Sequence, residues 1–281
     1  MGRNLAAPGS IARTADQLSS GCSPRWLSLR EPADAVARAE ALLDPLHAVL
    51  LNRDRVIVRD MGCGTGSMGR WLAARLPGPQ HWVLYDRDAA LLEVATVTGV
   101  AADSTPVTFE TRLGELTGLR AEDLAGTSLV TASALLDLLT AEEVDGLAAA
   151  CAGAGCPALL TLSVSGEVEF TQAEPLDAEF EAAFNDHQRR DGRLGPDAIR
   201  AATEAFERRG MRVAGRPSPW RLGPQQAALT GQWLRGWVAA ACEQRPELAD
   251  EAPGYLRRRL AETGGEVVVG HTDLLAIEEP A

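Results

Sequence analysis

Apolar residues recur at helical spacing from Trp26 to about Leu51, with Val36, Ala39, Leu42, Leu43, Leu46, Val49 and Leu50 on one stripe. The period then changes. Residues 55–60 (RVIVRD) form a β-branched run that predicts a first strand, followed by a glycine-rich loop and a helix over 69–76 stopped by Pro77-Gly78-Pro79. A second strand over 81–86 precedes a helix over 89–97, with Asp88 as its N-cap. Further strands are expected over 106–112, 128–133 and 158–165. Thr140 and Glu143 form a capping box that opens a helix to about Ala152. Strands and helices alternating through short connections predict a parallel, doubly wound sheet.

Beyond residue 165 the alternation loosens. Helices are expected over 178–184 and 197–209, a short strand near 211–215, and two helices within 224–262, the first carrying Trp233 and Trp237 one turn apart. A last strand over 266–277 contains His271 and Asp273 on one face, where a structural hydrogen bond is expected. The fold class is α/β: a Rossmann-like, seven-stranded, mostly parallel sheet with helices on both faces and a helical cap. The chain divides into an N-terminal helical lid (1–50), a core (51–165), and the remainder of the sheet with cap insertions (166–281, the insertions at about 166–197 and 217–264). Arg257-Arg-Arg259 reads as a solvated helix face.

The 281 residues carry 27 basic and 39 acidic side chains, a net charge of −12. Such a surface repels phosphate backbones and anionic lipid, which argues against nucleic acid and membrane as partners. All the basic residues are arginine, so lysine-dependent chemistry is excluded. Cys22, Cys63, Cys151, Cys156 and Cys242 form no CxxC and no metal-ligand spacing, so no metal is expected. With no apolar run of 18 residues and no signal-peptide pattern, the expected location is cytoplasmic.

The informative stretch is Asp60-Met-Gly62-Cys-Gly64-Thr-Gly66-Ser-Met-Gly69. Its glycines let backbone pass close to a ligand, and Gly64-x-Gly66-x-x-Gly69 fits the dinucleotide fingerprint, so an NAD(P)-dependent oxidoreductase is one reading. Asp60 opposes it, because a carboxylate at this strand end repels a pyrophosphate and attracts an ammonium or sulfonium. Asp86, at the end of the second strand, suits ribose hydroxyls in either case.

Asp60 followed by the alternating glycines, with Asp86 beyond them, resembles the first motifs of the class I S-adenosylmethionine-dependent methyltransferases. The resemblance spans about residues 55–165. It implies S-adenosylmethionine as cofactor, contacted by Asp60, Gly62, Cys63, Gly64, Thr65, Gly66, Asp86, Arg87 and Ser133. Glu115 and Leu116 would lie near the adenine. Outside the resemblance, Arg30 in the N-terminal helix is read as closing over the cofactor and pairing with its carboxylate. The resemblance further implies methyl transfer by in-line displacement to a small-molecule acceptor, with the nucleophile O, N or C undetermined. Members of the family carry a histidine or aromatic residue where this chain has Asp137, and Asp137 and His187 are the candidate bases. A non-catalytic S-adenosylmethionine-binding protein is a third reading. The oligomeric state is open, with a homodimer among the options.

Overall fold

The computed structural model describes residues 23–51, 53–115, 118–262 and 264–279. Its strands are β1 (Val56–Met61), β2 (Gln80–Asp86), β3 (Val107–Leu113), β4 (Leu129–Ser133), β5 (Ala158–Phe170), β6 (Met211–Pro217), β7 (Trp220–Leu222) and β8 (Val267–Glu278). They form one sheet in the order β3-β2-β1-β4-β5-β8-β6, with β7 pairing only β8. The first five strands are parallel, and β8 runs antiparallel to β5, β6 and β7. Chain order reverses between β1 and β4, which opens a crevice at their carboxyl ends.

Two layers of helix cover the sheet. On one face, Leu46 and Leu50 of α2 (Leu43–Leu50) and Trp71 and Leu72 of α3 (Ser67–Ala73) pack with Val58, Leu84 and Leu159. On the other, α5 (Ala141–Gly153) and α7 (Ala198–Glu207) bury Leu147, Cys151, Ala202 and Phe206 with Val130, Ala132 and Leu160. A short α4 (Ala89–Val94) is capped by Asp88, and the Thr140–Glu143 box caps α5 as the sequence predicts.

The sheet has eight strands where seven are expected. β5 and β8 run on past the core, and β7 joins them there: Glu169 pairs with Val268 and Phe170 with Val267, while Arg221 and Leu222 flank β8 on its other side. The extension was illegible because Gly166-Glu-Val-Glu-Phe170 reads as a charged loop. It carries the cap helices α6 (Leu176–Gln188), α8 (Ala227–Gln244) and α9 (Ala252–Ala261), whose core is Phe180, Leu234, Trp237, Val238 and Tyr255. Arg259 departs from the expected solvated face. Its side chain is 1% exposed, lies over the Phe170 ring and pairs with Asp177 and Glu262.

The predicted helix over 26–51 is broken. α1 (Pro24–Ala37) ends where Arg38 takes ψ 133, and α2 begins five residues later. The break is held by Asp273, whose carboxylate accepts from the Ala39 N–H (2.8 Å), the Leu162 N–H (2.7 Å) and the Ser218 hydroxyl (2.5 Å). One buried acid thus joins the lid, a bulge in β5 and the turn before β7. No helix among the described residues is long and apolar enough to cross a membrane.

Replacing Asp273 leaves buried donors without partners, each costing about 1–3 kcal/mol. Asp273→Ala is expected to destabilise the protein by about 3 kcal/mol, read as a lower urea midpoint. An unchanged midpoint would show that these bonds hold nothing together.

Candidate functional site

The site grows from the end of β1. Asp60 is paired across the sheet with Thr131 of β4, whose hydroxyl donates to Asp60 Oδ1 at 2.7 Å. The carboxyl is 1% exposed, and its Oδ2 is buried with no hydrogen-bond partner. Burial pushes its pKa up to about 7, against the opposing pull of the Thr131 bond and of Arg38.

Beyond Asp60 the backbone turns through Gly62, Gly64 and Gly66, all at positive φ. Gly66 is the tightest of them. A Cβ there would lie 2.5 Å from the Thr96 carbonyl oxygen. At Gly64 a Cβ would meet only the end of the Leu27 side chain, at 2.9 Å, so α1 lies over the loop. The Gly64 N–H donates to Asp86 Oδ2 at 2.8 Å, and the Asp88 N–H to Asp86 Oδ1 at 2.9 Å. Each of these oxygens keeps a second lone pair. Cys63 is a buried free thiol whose pKa is raised by burial, an inert environment for thiolate chemistry. Thr65 accepts from Arg70, which also holds Glu31 of α1 through two bonds of 2.7 and 2.6 Å.

The residue that sequence reasoning missed is Arg38. The break after α1 turns its guanidinium into the crevice, where it is 2% exposed. Nη2 donates to Ser133 Oγ (3.2 Å) and Ser67 Oγ (3.4 Å), while Nε and Nη1 are buried without partners. Burial lowers its pKa, and Asp34, Asp273 and Asp60 pull the other way. Arg30, the residue expected to take a carboxylate, is already committed. Its Nε donates to both oxygens of Asp34, and its guanidinium lies 4.9 Å from the Trp220 ring centroid. Only a helix break, invisible in the apolar spacing, distinguishes the two arginines.

Arg87 and Glu115 are exposed on the loops after β2 and β3, and Leu116 lies outside the described residues. Asp137 follows β4 in a short helical turn, 7% exposed, with Oδ1 buried and unpartnered and its pKa raised by burial. It lines a cavity of about 210 Å³ beneath α1, between the sheet and the cap. Two strained residues, Ala134 (φ 52) and Leu162 (φ 57), line it as well. His187 does not join them. It sits between α6 and α8, with Nε2 3.1 Å from Glu243. Asp60, Arg38, Ser133, Asp86 and the glycine loop therefore gather in one crevice, Asp137 and Arg30 face the neighbouring cavity, and His187 stands apart.

No protein-family model and no curated protein matches the chain. Among solved structures it is similar to a cyclopropane synthase from Mycobacterium tuberculosis, at 14% identity over 90% of this chain and 94% of that one, with a TM-score of 0.47. It is also similar to an S-adenosylmethionine-dependent methyltransferase from Geobacter sulfurreducens bound to S-adenosylhomocysteine, at 17% identity over 92% and 99% of the two chains, TM-score 0.42. A third is a Haemonchus contortus phosphoethanolamine N-methyltransferase, at 15% identity over 95% of this chain and 61% of that one, TM-score 0.44.

The two loop glycines are expected to separate by what surrounds them. Gly66→Ala drives a Cβ into backbone, whereas Gly64→Ala displaces only a leucine tip and adds the roughly 1–2 kcal/mol of a left-handed alanine. Thermal denaturation should show the larger loss for Gly66→Ala. Equal losses would mean that the Thr96 contact does not shape the loop.

Proposed function

We propose that the protein is a class I S-adenosylmethionine-dependent methyltransferase acting on a small-molecule acceptor in the cytoplasm. One observation carries the reading: the crevice at the β1–β4 switch point holds a buried carboxyl and a buried guanidinium, each with unpartnered polar atoms. Asp60 offers Oδ2, and Arg38 offers Nε and Nη1. Buried polar atoms without partners cost stability unless a ligand answers them. An amino acid moiety does so, with its ammonium on Asp60 and its carboxylate on Arg38. A nicotinamide dinucleotide has neither group, and its pyrophosphate would face Asp60.

The remaining assignments follow the same logic. Asp86 keeps lone pairs for ribose hydroxyls while it fixes the loop. Glu115, with Leu116 beside it in sequence, is assigned to the adenine side. Arg38 replaces Arg30 as the carboxylate partner, and Ser133 and Ser67 hold its guanidinium in place. When bound, S-adenosylmethionine supplies a methyl group already activated by the positive sulfur. The chain's part is to align and to exclude water, and orientation of this kind is worth about 7–11 kcal/mol. Asp137 is the proton acceptor for a nucleophile that carries a proton.

Calorimetry with S-adenosylhomocysteine and NADH in parallel tests the proposal. The first should bind and the second should not. Asp60→Asn and Arg38→Leu should each weaken binding by about 10–100-fold, the loss of one charge-assisted bond. Binding of NADH alone would overturn the reading.

Asp60 also predicts a pH signature. Its folded pKa of about 7 lies above the ordinary 3.8 of an aspartate, so the ligand-free fold loses this group's contribution as pH rises from about 4 to about 7. A ligand ammonium favours the carboxylate, so binding at pH 6 should release a proton. Titration in two buffers of different ionisation enthalpy reads that release, and Asp60→Asn should abolish it.

A further inference from the structure

The cavity beside Asp137 is walled by aromatic rings from three parts of the chain. Trp26 of α1 meets Trp220 of β7 edge-on with centroids 6.5 Å apart, and Trp233 stacks on Trp237 of α8 at 5.6 Å. An apolar cavity of roughly 150 Å³ holds benzene. At about 210 Å³ this one has room for a substituted ring or two fused rings. Aromatic walls favour a planar partner, because offset and edge-to-face contacts add to the area buried and a saturated ring cannot make them.

The polar groups narrow the class further. Among the side chains lining the cavity, two carry buried atoms without a hydrogen-bond partner: Asp137 Oδ1, an acceptor, and Trp237 Nε1, a donor. A hydroxyl answers both kinds, since it donates and accepts. His271 adds a neutral acceptor. Its Nδ1 lies 2.9 Å from the Val269 carbonyl oxygen, which can only accept, so Nδ1 carries the proton and Nε2 keeps a lone pair. Burial depresses its pKa to about 3, so the ring stays uncharged. This backbone bond fixes the tautomer, and Asp273, expected on the same face, accepts instead from Ala39, Leu162 and Ser218. An ammonium is a poorer fit than a hydroxyl. Arg30 already occupies the Trp220 face and brings a positive charge to the wall.

Resting on the methyl-transfer reading above, we propose that the acceptor is a hydroxylated aromatic compound of one or two rings, bound between Trp26, Trp220 and Trp233 with its hydroxyl at Asp137. The hydroxyl is the nucleophile. Its oxygen gains the methyl carbon, its proton passes to the Asp137 carboxylate, and the electron pair of the broken carbon–sulfur bond stays on sulfur.

The test is a binding panel read by tryptophan fluorescence and calorimetry on the full chain with saturating S-adenosylhomocysteine. The probes are 2-naphthol, naphthalene, decahydro-2-naphthol and 2-naphthylmethylammonium. 2-Naphthol should bind at least tenfold tighter than each of the other three. Trp233→Leu should weaken it at least tenfold, and Asp137→Ala should erase the preference over naphthalene while naphthalene binding persists. Equal or tighter binding of the saturated alcohol or of the ammonium overturns the aromatic alcohol class, and so does no binding of any probe. S-Adenosylhomocysteine binding is measured first and separately, so its failure strikes the cofactor reading and not the acceptor class alone.

Discussion

A carboxyl and a guanidinium share the crevice at the end of β1 without forming an ion pair. Asp60 is held by Thr131 on one oxygen, and Arg38 by Ser133 and Ser67 on one nitrogen. Two such groups that met directly would neutralise each other and leave nothing to offer a ligand. Kept apart and dry, each remains expensive, and the expense shows as a carboxyl pushed up to about 7 and an arginine pulled down. Under the proposed function, that cost is answered by a ligand of the opposite polarity pattern. That is the physical content of the site.

The rest of the architecture can be followed outward from the placement of Arg38. For its guanidinium to enter the crevice, the N-terminal helix must end at residue 37, and the next N–H must find a partner. Asp273 supplies that partner and simultaneously fixes the strained Leu162 and the turn at Ser218. α1 is then tied on both sides. Glu31 grips Arg70 of the helix that follows the glycine loop, and Asp34 accepts from the Trp220 indole at 2.9 Å as well as from Arg30. The lid, the glycine loop and the cap are thereby coupled through side chains of one short helix.

The core was legible because its strands are β-branched runs between turn signals, and because Asp60, the glycines and Asp86 lie within one strand–loop–helix–strand unit. β1 to β4 fall within a residue or two of their expected ends. What escaped was tertiary. The apolar stripe over 26–51 continues through Ala39 as if the helix did, since periodicity carries no mark of a partner 234 residues away that takes the Ala39 N–H. Arg30 and Arg38 look equivalent in sequence, and only their partners separate them. Arg259 looked solvated within an arginine run, yet its fate depends on Asp177 and Phe170, far earlier in the chain. His187, a candidate base in the sequence, pairs with Glu243 of a different helix and does not line the cavity.

The cap makes chemical sense once its energetics are divided. Its own core is apolar and aromatic, and Arg259 is locked into it, so α6, α8 and α9 form a rigid wall. α1 is attached differently. The Glu31–Arg70 pair is partly solvated, with side chains 29% and 22% exposed, and ion pairs of that kind hold weakly. Leu27 covers Gly64 with a flexible side-chain tip and no backbone contact. Over the glycine loop the covering is thus a side-chain tip and a partly solvated ion pair, while the bonds from Trp220 to Asp34 and from the Ala39 N–H to Asp273 anchor the same segment. A displacement reaction between two bound partners gains from such covering, because it keeps water from the reacting atoms.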